Sequence, residues 1–440
     1  MSWKQFIFIL LFFPISTSVA DEMSAEDAIR IGLKNNYDIL IAKNSAEIAE
    51  KNMGLGTAEF LPTLDALGIY QYSESEQETN SAIGLGDSDS RTLNGQISMN
   101  WTLFDGFNMF VNNARYKELA KLGSAQSRNI IENSVVGILR AYFNLVQQEQ
   151  LLSIAKNSES ISEVRLNKEQ VRHDLGGASS TDLLNAQVSY NNDRATVLNQ
   201  ELQLLIARKE LNIQLGRDAD APLSVANEIK LNVLDQDKDE LIRLAEERNS
   251  YLKFAYYDRN VAAQNVKSSR SLFYPRLSLS ASYGYTDSET NRAETSGESF
   301  FPPKIESQNK DLTVGLTASF NLFNGFRNKI NLQTARLELE NKELALEYAR
   351  KELAGFIEEK VGTLGKQLKL IDLEQQNVIA AKQNLELQQD RYRIGASSSL
   401  EFRDAQVNLI LAQTSLIVSR YLARITQLEI EQLVGNITIN

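Results

Sequence analysis

The chain repeats itself, and the repeat constrains its architecture before any single motif is considered. Trp101-Thr-Leu-Phe-Asp-Gly-Phe107 matches Phe320-Asn-Leu-Phe-Asn-Gly-Phe326 at an offset of 219 residues. The same offset pairs Leu175-Gly176 with Ile394-Gly395, Ser179-Ser180 with Ser398-Ser399, Ala186-Gln187-Val188 with Ala405-Gln406-Val407, and Gly216 with Gly435. Upstream, Phe60-Leu-Pro-Thr-Leu64 matches Phe273-Tyr-Pro-Arg-Leu277 at an offset of 213. Chance similarity between helical sequences would not hold one register through glycine, proline and aromatic landmarks. The expected organisation is a first repeat at 21–216, a polar linker at 217–238, a second repeat at 239–435 and a short tail at 436–440.

The first residues stand apart. Lys4 precedes an apolar run from Phe6 to Phe13, then Pro14 and small residues ending Ser18-Val19-Ala20. That is the pattern of a secretory signal peptide over 1–20, and the run is too short for the roughly 20 apolar residues of a spanning helix. Export is therefore expected. A net charge of −11 argues against a nucleic-acid partner. With no Cys there is no disulfide, thiolate metal site or lipid-modified cysteine, and the single His173 leaves little for zinc or triad chemistry. No nucleophile-and-base motif occurs, and Gly54-Leu-Gly56 and Gly84-Leu-Gly86 lack a nucleotide fingerprint around them. No catalytic residue, cofactor or metal is expected.

Each repeat reads as helix, strand, strand, long helix, helix. The first helices fall at about 24–54 and 239–270, and strands are expected at about 58–73 and 92–105, then 271–286 and 311–323. Leu277, Leu279, Ala281, Tyr283 and Tyr285 alternate with Ser278, Ser280, Ser282 and Gly284, so one face is apolar and the other polar. Leu312 to Leu322 and Leu93 to Leu103 alternate likewise, whereas Leu67 and Ile69 spoil the pattern of the first strand. The strands exceed the usual 5 to 6 residues and suffice for a tilted membrane strand of about 9 to 11. The connecting segments 73–91 and 286–311 read as long polar loops. Fifteen of the 30 aromatic residues after Ala20 fall in 58–107 and 271–326, about three times the density elsewhere. Phe60, Trp101, Phe104, Phe107, Phe273, Phe320, Phe323 and Phe326 collect at the strand ends near the helices, as in the aromatic girdle of a membrane barrel; a soluble sandwich with one wet face is the blander alternative. The fold class is mainly α with a membrane β portion. Four strands cannot enclose a barrel, which needs about eight, and open edges in a bilayer leave backbone groups unsatisfied. Several chains must contribute strands; three would give twelve, although the sequence does not set that number.

No proline interrupts 107–215 or 326–440, so helices from 108 to about 173 and from 327 to about 393 are permitted, each about 100 Å long if unbroken. Ile138, Tyr142 and Leu145 give them an apolar stripe that needs partners along its length. Each ends in a Gly-Ser break: Leu175-Gly176-Gly177-Ala178-Ser179-Ser180 and Ile394-Gly395-Ala396-Ser397-Ser398-Ser399. Gly supplies the left-handed cap and Ser the next N-cap, so each is a helical hairpin turn. Just beyond lie Asp182, and Glu401 with Asp404. Their ordinary role is to complement the helix dipole; arranged around an axis by several chains, they would form a ring favouring cations.

In this order and duplicated, the Phe-x-Pro-x-Leu, Leu-Phe-Asp/Asn-Gly-Phe and Tyr392-Arg-Ile-Gly395 motifs leading to Asp404-Ala405-Gln406 make the chain resemble the TolC-type outer-membrane efflux channel family. The resemblance implies a homotrimer whose 12-stranded β-barrel, in the outer membrane of a Gram-negative bacterium, continues into a long periplasmic α-helical barrel. It implies a passive duct for efflux or type I secretion, docked to a periplasmic adaptor and an inner-membrane ABC or proton-driven transporter. By position, Glu401 and Asp404 resemble the family's acidic constriction, and Asp182 with Tyr392 an inter-helix link. Leu175, Gly176, Gly177, Ile394, Gly395 and Ala396 would be the adaptor-contacting tips. Ser397 stands where some members carry a basic residue, so that part of the lock is either missing or supplied by Arg393 or Arg403. A periplasmic coiled-coil adaptor is the competing expectation; it would present one hairpin and no membrane strands.

Overall fold

A computed structural model describes residues 22–76, 87–231, 237–292 and 302–437. The expected signal peptide at 1–20 lies outside the described residues, as do the last three positions of the tail and parts of the linker and both strand connections. The first repeat contains α1 (Ala25–Asn35), α2 (Tyr37–Ala58), β1 (Thr63–Ser75), β2 (Ser88–Asp105), α3 (Asn108–Asp174) and α4 (Ser180–Gln214). The second contains α5 (Lys238–Arg248), α6 (Ser250–Ser271), β3 (Arg276–Arg292), β4 (Lys304–Ser319), α7 (Arg327–Arg393) and α8 (Ser399–Leu433). Corresponding helices have equal lengths of 11, 22, 67 and 35 residues.

The first helix of each repeat, expected to be continuous, is two helices separated by an asparagine. Asn36 and Asn249 leave helical geometry at ψ 127° and 126°. The break frees each side chain to finish another helix: Asn36 Nδ2 donates to the Gln214 carbonyl at 2.7 Å, and Asn249 Nδ2 to the Leu433 carbonyl at 2.9 Å. Those carbonyls at the ends of α4 and α8 would otherwise lack a partner. Gly216 and Gly435 then turn the chain at φ +65° and +66°. A Cβ on Gly216 would lie 2.3 Å from the Asn35 carbonyl oxygen, so only glycine fits.

Two compact units divide the residues. One comprises Met1–Lys43, Arg128–Asn249 and Glu352–Asn440. Its core gathers Ile39, Val135, Ile138, Leu145, Leu211, Leu215 and Leu428, all fully buried. On α3 the stripe Val135, Ile138, Tyr142, Leu145 follows three- and four-residue spacing, and each such side chain contributes about 1.5–3 kcal/mol by leaving water. The Tyr142 hydroxyl reaches the Met23 carbonyl at 3.0 Å, and the Met23 amide in turn donates to the Ser224 carbonyl at 2.9 Å, which pins part of the linker against the start of the chain.

The other unit comprises Asn44–Ser127 and Ser250–Lys351 and holds one antiparallel sheet in the order β1-β2-β3-β4. Its register places like beside like. Leu64, Met99, Ala281 and Val314 form one row across the four strands, and Ala66, Ile97, Tyr283 and Leu312 the next. Leu67 and Ile69 fall on the opposite face beside Gln96 and Asn94. That resolves the irregularity of the first strand: its lipid-compatible face is Leu64, Ala66, Gly68 and Tyr70. A bulge between Thr102 and Phe104 skips Leu103 and puts Phe104 opposite Leu277. From Leu277 to Tyr285 the apolar face runs about 27 Å along the strand, or about 20 Å along the normal at a ~40° tilt, near the ~25 Å band of an outer-membrane barrel.

The strands differ in extent from the expectation. They begin after the proline segments, at Thr63 and Arg276, and reach further into the polar stretches read as loops: β2 starts at Ser88, β3 ends at Arg292 and β4 runs Lys304–Ser319. Beyond the apolar band the ladder continues through polar pairs such as Asp287↔Gln308 and Ser288↔Ser307; backbone hydrogen bonds, rather than alternation, hold it there. No helix among the described residues is long and apolar enough to cross a membrane.

Candidate functional site

The hairpin turns between α3 and α4 and between α7 and α8 are built alike. At the first, the Gly176 amide donates to the His173 carbonyl at 2.9 Å and the Gly177 amide to the Arg172 carbonyl at 2.7 Å; Gly395 and Ala396 do the same to Tyr392 and Arg391. These are Schellman caps, with Gly176 and Gly395 left-handed at φ +78° and +79°. Arg172 and Arg391 each fold back to donate to the next turn carbonyl, Gly177 and Ala396, both at 3.2 Å. Leu175 and Ile394 are left 81% and 75% exposed at the apices.

Two of the three acidic residues beyond the turns, Asp182 and Glu401, take part in capping the next helix. Ser179 Oγ accepts from the Asp182 amide at 3.1 Å and donates to its carboxylate at 2.8 Å. Ser398 and Glu401 form a complete capping box, and Ser397 donates to Glu401 at 3.0 Å. Donation from the Ser398 amide, then from Ser397 and Ser398, holds the Glu401 carboxyl below its ordinary value of 4.5. Glu401 and Asp404 are exposed, and Asp182 is half-buried.

The structure does not bring Asp182 to Tyr392. The Tyr392 hydroxyl instead donates to Glu169 on α3, and its ring stacks on Phe402 at 5.3 Å between centroids. Lys168 lies 3.9 Å from the centre of the same ring and donates to the Tyr392 carbonyl at 3.2 Å. Burial, followed by the bond to Glu169, pushes the phenol up to about 12, and burial lowers Lys168. Leu385, Phe402, Ala405 and Leu409 complete a small apolar core around Tyr392.

One turn deeper lies a buried polar cluster. Arg403 on α8 makes a two-pronged pair with Asp193 on α4, at 2.6 and 2.8 Å. Ser158 and Ser162 of α3 donate to the same carboxylate, and Gln406 donates to the Ser158 carbonyl at 3.0 Å. Arg403 is therefore committed within the chain, while Arg393 is exposed beside Asp390. Asp193, Glu169 and Lys168 escaped the sequence reading because each looks like a solvated helix charge. Arg172 and Arg391 did carry a signal, recurring at the 219-residue offset.

At the other candidate locus, all eight singled-out aromatic residues lie at one end of the sheet. Gly106 and Phe107, and Gly325 and Phe326, are consecutive left-handed residues, with φ +72°, +71°, +66° and +64°. A phenylalanine in this region is strained, and the geometry recurs in both repeats. In each, it turns the ring onto the phenylalanine three residues earlier: Phe107 on Phe104 at 5.1 Å and Phe326 on Phe323 at 5.3 Å, both edge to face. Trp101 Nε1 donates to the Phe60 carbonyl at 3.0 Å, and Phe273 is exposed on the segment before β3, with Phe320 just past β4.

The sequence profile of the outer membrane efflux protein family matches residues 28–217 and, a second time, 241–436. The chain belongs to this family. It is an outer membrane efflux protein rather than an enzyme. It is 22% identical over 383 residues to the outer membrane protein TolC of Escherichia coli, covering 86% of this chain and 75% of that one. Its fold is similar to the CmeC outer membrane channel of Campylobacter jejuni, with a TM-score of 0.78 at 15% identity over 94% of this chain and 85% of that chain. It is also similar to the outer membrane protein VceC of Vibrio cholerae, with a TM-score of 0.74 at 18% identity, 93% of this chain and 96% of that chain.

Proposed function

We propose that this family member is the exit duct of a tripartite efflux or type I secretion system, working as a homotrimer. The sheet carries the proposal. Its two outer strands, β1 and β4, are open edges, and one face is an apolar band of membrane height. In hydrocarbon those edges must be paired, and pairing β4 of one copy with β1 of the next closes a ring; three copies give twelve strands. Phe60, Trp101, Phe104, Phe107, Phe273, Phe320, Phe323 and Phe326 then form the periplasmic girdle. The hairpin apices, where Leu175 and Ile394 are exposed beside Gly176, Gly177, Gly395 and Ala396, meet the adaptor, which links the duct to an inner-membrane transporter that supplies the energy.

Glu401 and Asp404, repeated around the axis, form the acidic constriction. Tyr392 acts through Glu169 rather than Asp182, and with the Arg403–Asp193 pair fastens the two hairpins within each copy. The test is an unheated, SDS-resistant oligomer in outer-membrane fractions, followed by planar-bilayer recording. Replacing Glu401 and Asp404 with Ala is expected to lower cation preference and relieve block by divalent cations. Unchanged selectivity refutes the constriction, and a soluble monomer refutes the duct.

A further inference from the structure

The junction of strands and helices has one fold in both repeats but opposite charge. Residues 259–286 and 312–337, running from α6 into β3 and from β4 into α7, contain seven basic residues and no acidic one. The matching positions of the first repeat, 46–73 and 93–118, contain three basic and six acidic residues. Two of the seven are engaged: Arg259 pairs with Glu343 at 2.7 Å, and Arg276 donates to Thr102 at 3.2 Å on the polar face of the sheet. Lys267, Arg270, Arg327, Lys329 and Arg336 are exposed, with no side-chain ion pair among the described residues.

The sides of the helices that carry these five groups can be identified. A polar hollow on the sheet's hydrophilic side is lined by Asn265, Ser268 and Ser269 of α6 and by Asn331, Thr334 and Glu338 of α7. The five basic residues are interleaved with these in sequence, yet none lines the hollow. Lys267 and Arg270 lie on the side of α6 away from the hollow and Lys329 and Arg336 on the side of α7 away from it, whereas Arg327, at the first position of α7, shares the side of Asn331, Thr334 and Glu338. Asn328 Nδ2 donates to the Leu272 carbonyl at 2.8 Å, which holds the start of α7 against the end of α6 and gathers Arg270, Arg327 and Lys329. Phe273, Phe323 and Phe326, each exposed, lie beside them in the chain.

Unopposed cations just below an aromatic girdle repel one another unless an anion sits among them. At a membrane boundary, the anion presented at high surface density is a lipid phosphate. Guanidinium groups suit phosphate oxygens through paired N–H donors, and basic residues within reach of an anionic leaflet are drawn to it. We propose that the junction of the second repeat binds the phosphate headgroups of anionic phospholipid in the periplasmic leaflet of the outer membrane. The first repeat, acidic at the same place, does not, so each chain holds lipid on one flank. The proposal requires the sheet to lie in the membrane and is independent of whether the duct conducts or gates.

The full chain, purified in neutral detergent, is titrated with mixed micelles containing phosphatidylglycerol or phosphatidylcholine, and retained lipids are counted by native mass spectrometry. The wild type is expected to prefer phosphatidylglycerol by about tenfold, less at high salt. Lys267→Gln with Arg270→Gln, Arg327→Gln and Lys329→Gln should abolish the preference, whereas Lys366→Gln with Lys369→Gln keeps it. Equal retention of the two lipids by the wild type overturns the proposal, as does an undiminished preference in the fourfold variant. Dissociation of that variant into monomers in lipid-free neutral detergent also overturns it, because the cations would then face a neighbouring copy. Loss of conductance with lipid retention intact counts against the duct alone.

Discussion

Breaking the Arg403–Asp193 pair should loosen the hairpins far more than removing it whole. Side-chain exposure is 19% for Arg403 and 9% for Asp193, so either charge left alone is largely shut off from water. Losing one partner of a buried pair costs about 3–5 kcal/mol, whereas replacing both with apolar residues of similar volume is often neutral. Arg403→Met leaves Asp193 with the Ser158 and Ser162 hydroxyls, which places it at the lower end, about 3 kcal/mol. Asp193→Leu leaves Arg403 more accessible to solvent and in reach of Gln406 Oε1 at 3.2 Å; about 2 kcal/mol is expected. At about 1.4 kcal/mol per tenfold, these correspond to amide exchange faster by about 150-fold and 30-fold in the turns around Ser162 and Gln406. The double variant should return to within about fivefold of wild type. Hydrogen exchange of the purified full-length protein, followed on peptides spanning 158–170 and 400–410, reads all three. Single variants within twofold of wild type, or a double variant as mobile as the worse single one, would refute the reasoning.

The repeated glycines should not tolerate alanine equally. A Cβ on Gly106 would lie 2.4 Å from the Ser271 carbonyl oxygen, whereas Gly325 faces open space; Gly325→Ala should cost only left-handed strain of about 1–2 kcal/mol, with a modest drop in the temperature at which the oligomer resists SDS, while Gly106→Ala adds a backbone clash and should yield little oligomer. The raised pKa of Tyr392 implies an alkaline limit: its contribution is whole below the ordinary tyrosine value near 10 and is lost as pH rises through about 12, so the melting temperature followed by circular dichroism should fall further across that interval in wild type than in Tyr392→Phe. Glu401 acts in the opposite sense: its lowered pKa stabilises the start of α8 above 4.5, and that contribution is lost as pH falls through the lowered value, a dependence that Glu401→Gln should remove.

Much of this architecture is legible in the sequence because it is punctuated by residues with few alternatives. Gly176, Gly395, Ser179 and Ser398 mark the hairpin turns, and the absence of proline permits the two 67-residue helices. The strand ends were harder to see: between Thr286 and Arg292, and between Lys304 and Asp311, the ladder is made of polar residues, and alternation carries no signal once neither face is apolar. The Asn36 and Asn249 breaks were missed because asparagine is only mildly unfavourable inside a helix, and the helix is broken by a bond to a carbonyl 178 or 184 residues away. The Asp193–Arg403 pair spans 210 residues, beyond any local pattern. Within one copy the turn places Asp182 under its own Ser179, and the Tyr392 phenol meets Glu169, 223 positions away, which no local pattern carries.

The asparagine clamps bear on how such a chain came to be double. Each ties the opening helices of a repeat to the closing helix of the same repeat, Asn36 to Gln214 and Asn249 to Leu433. A segment whose beginning and end are fastened to each other is self-bounded. It can be copied in tandem without redesigning its ends, because the connector added after Gly216 need only be long enough to reach the next start. The two halves were then free to diverge in charge, as they have at the strand–helix junction, while their helix lengths stayed the same.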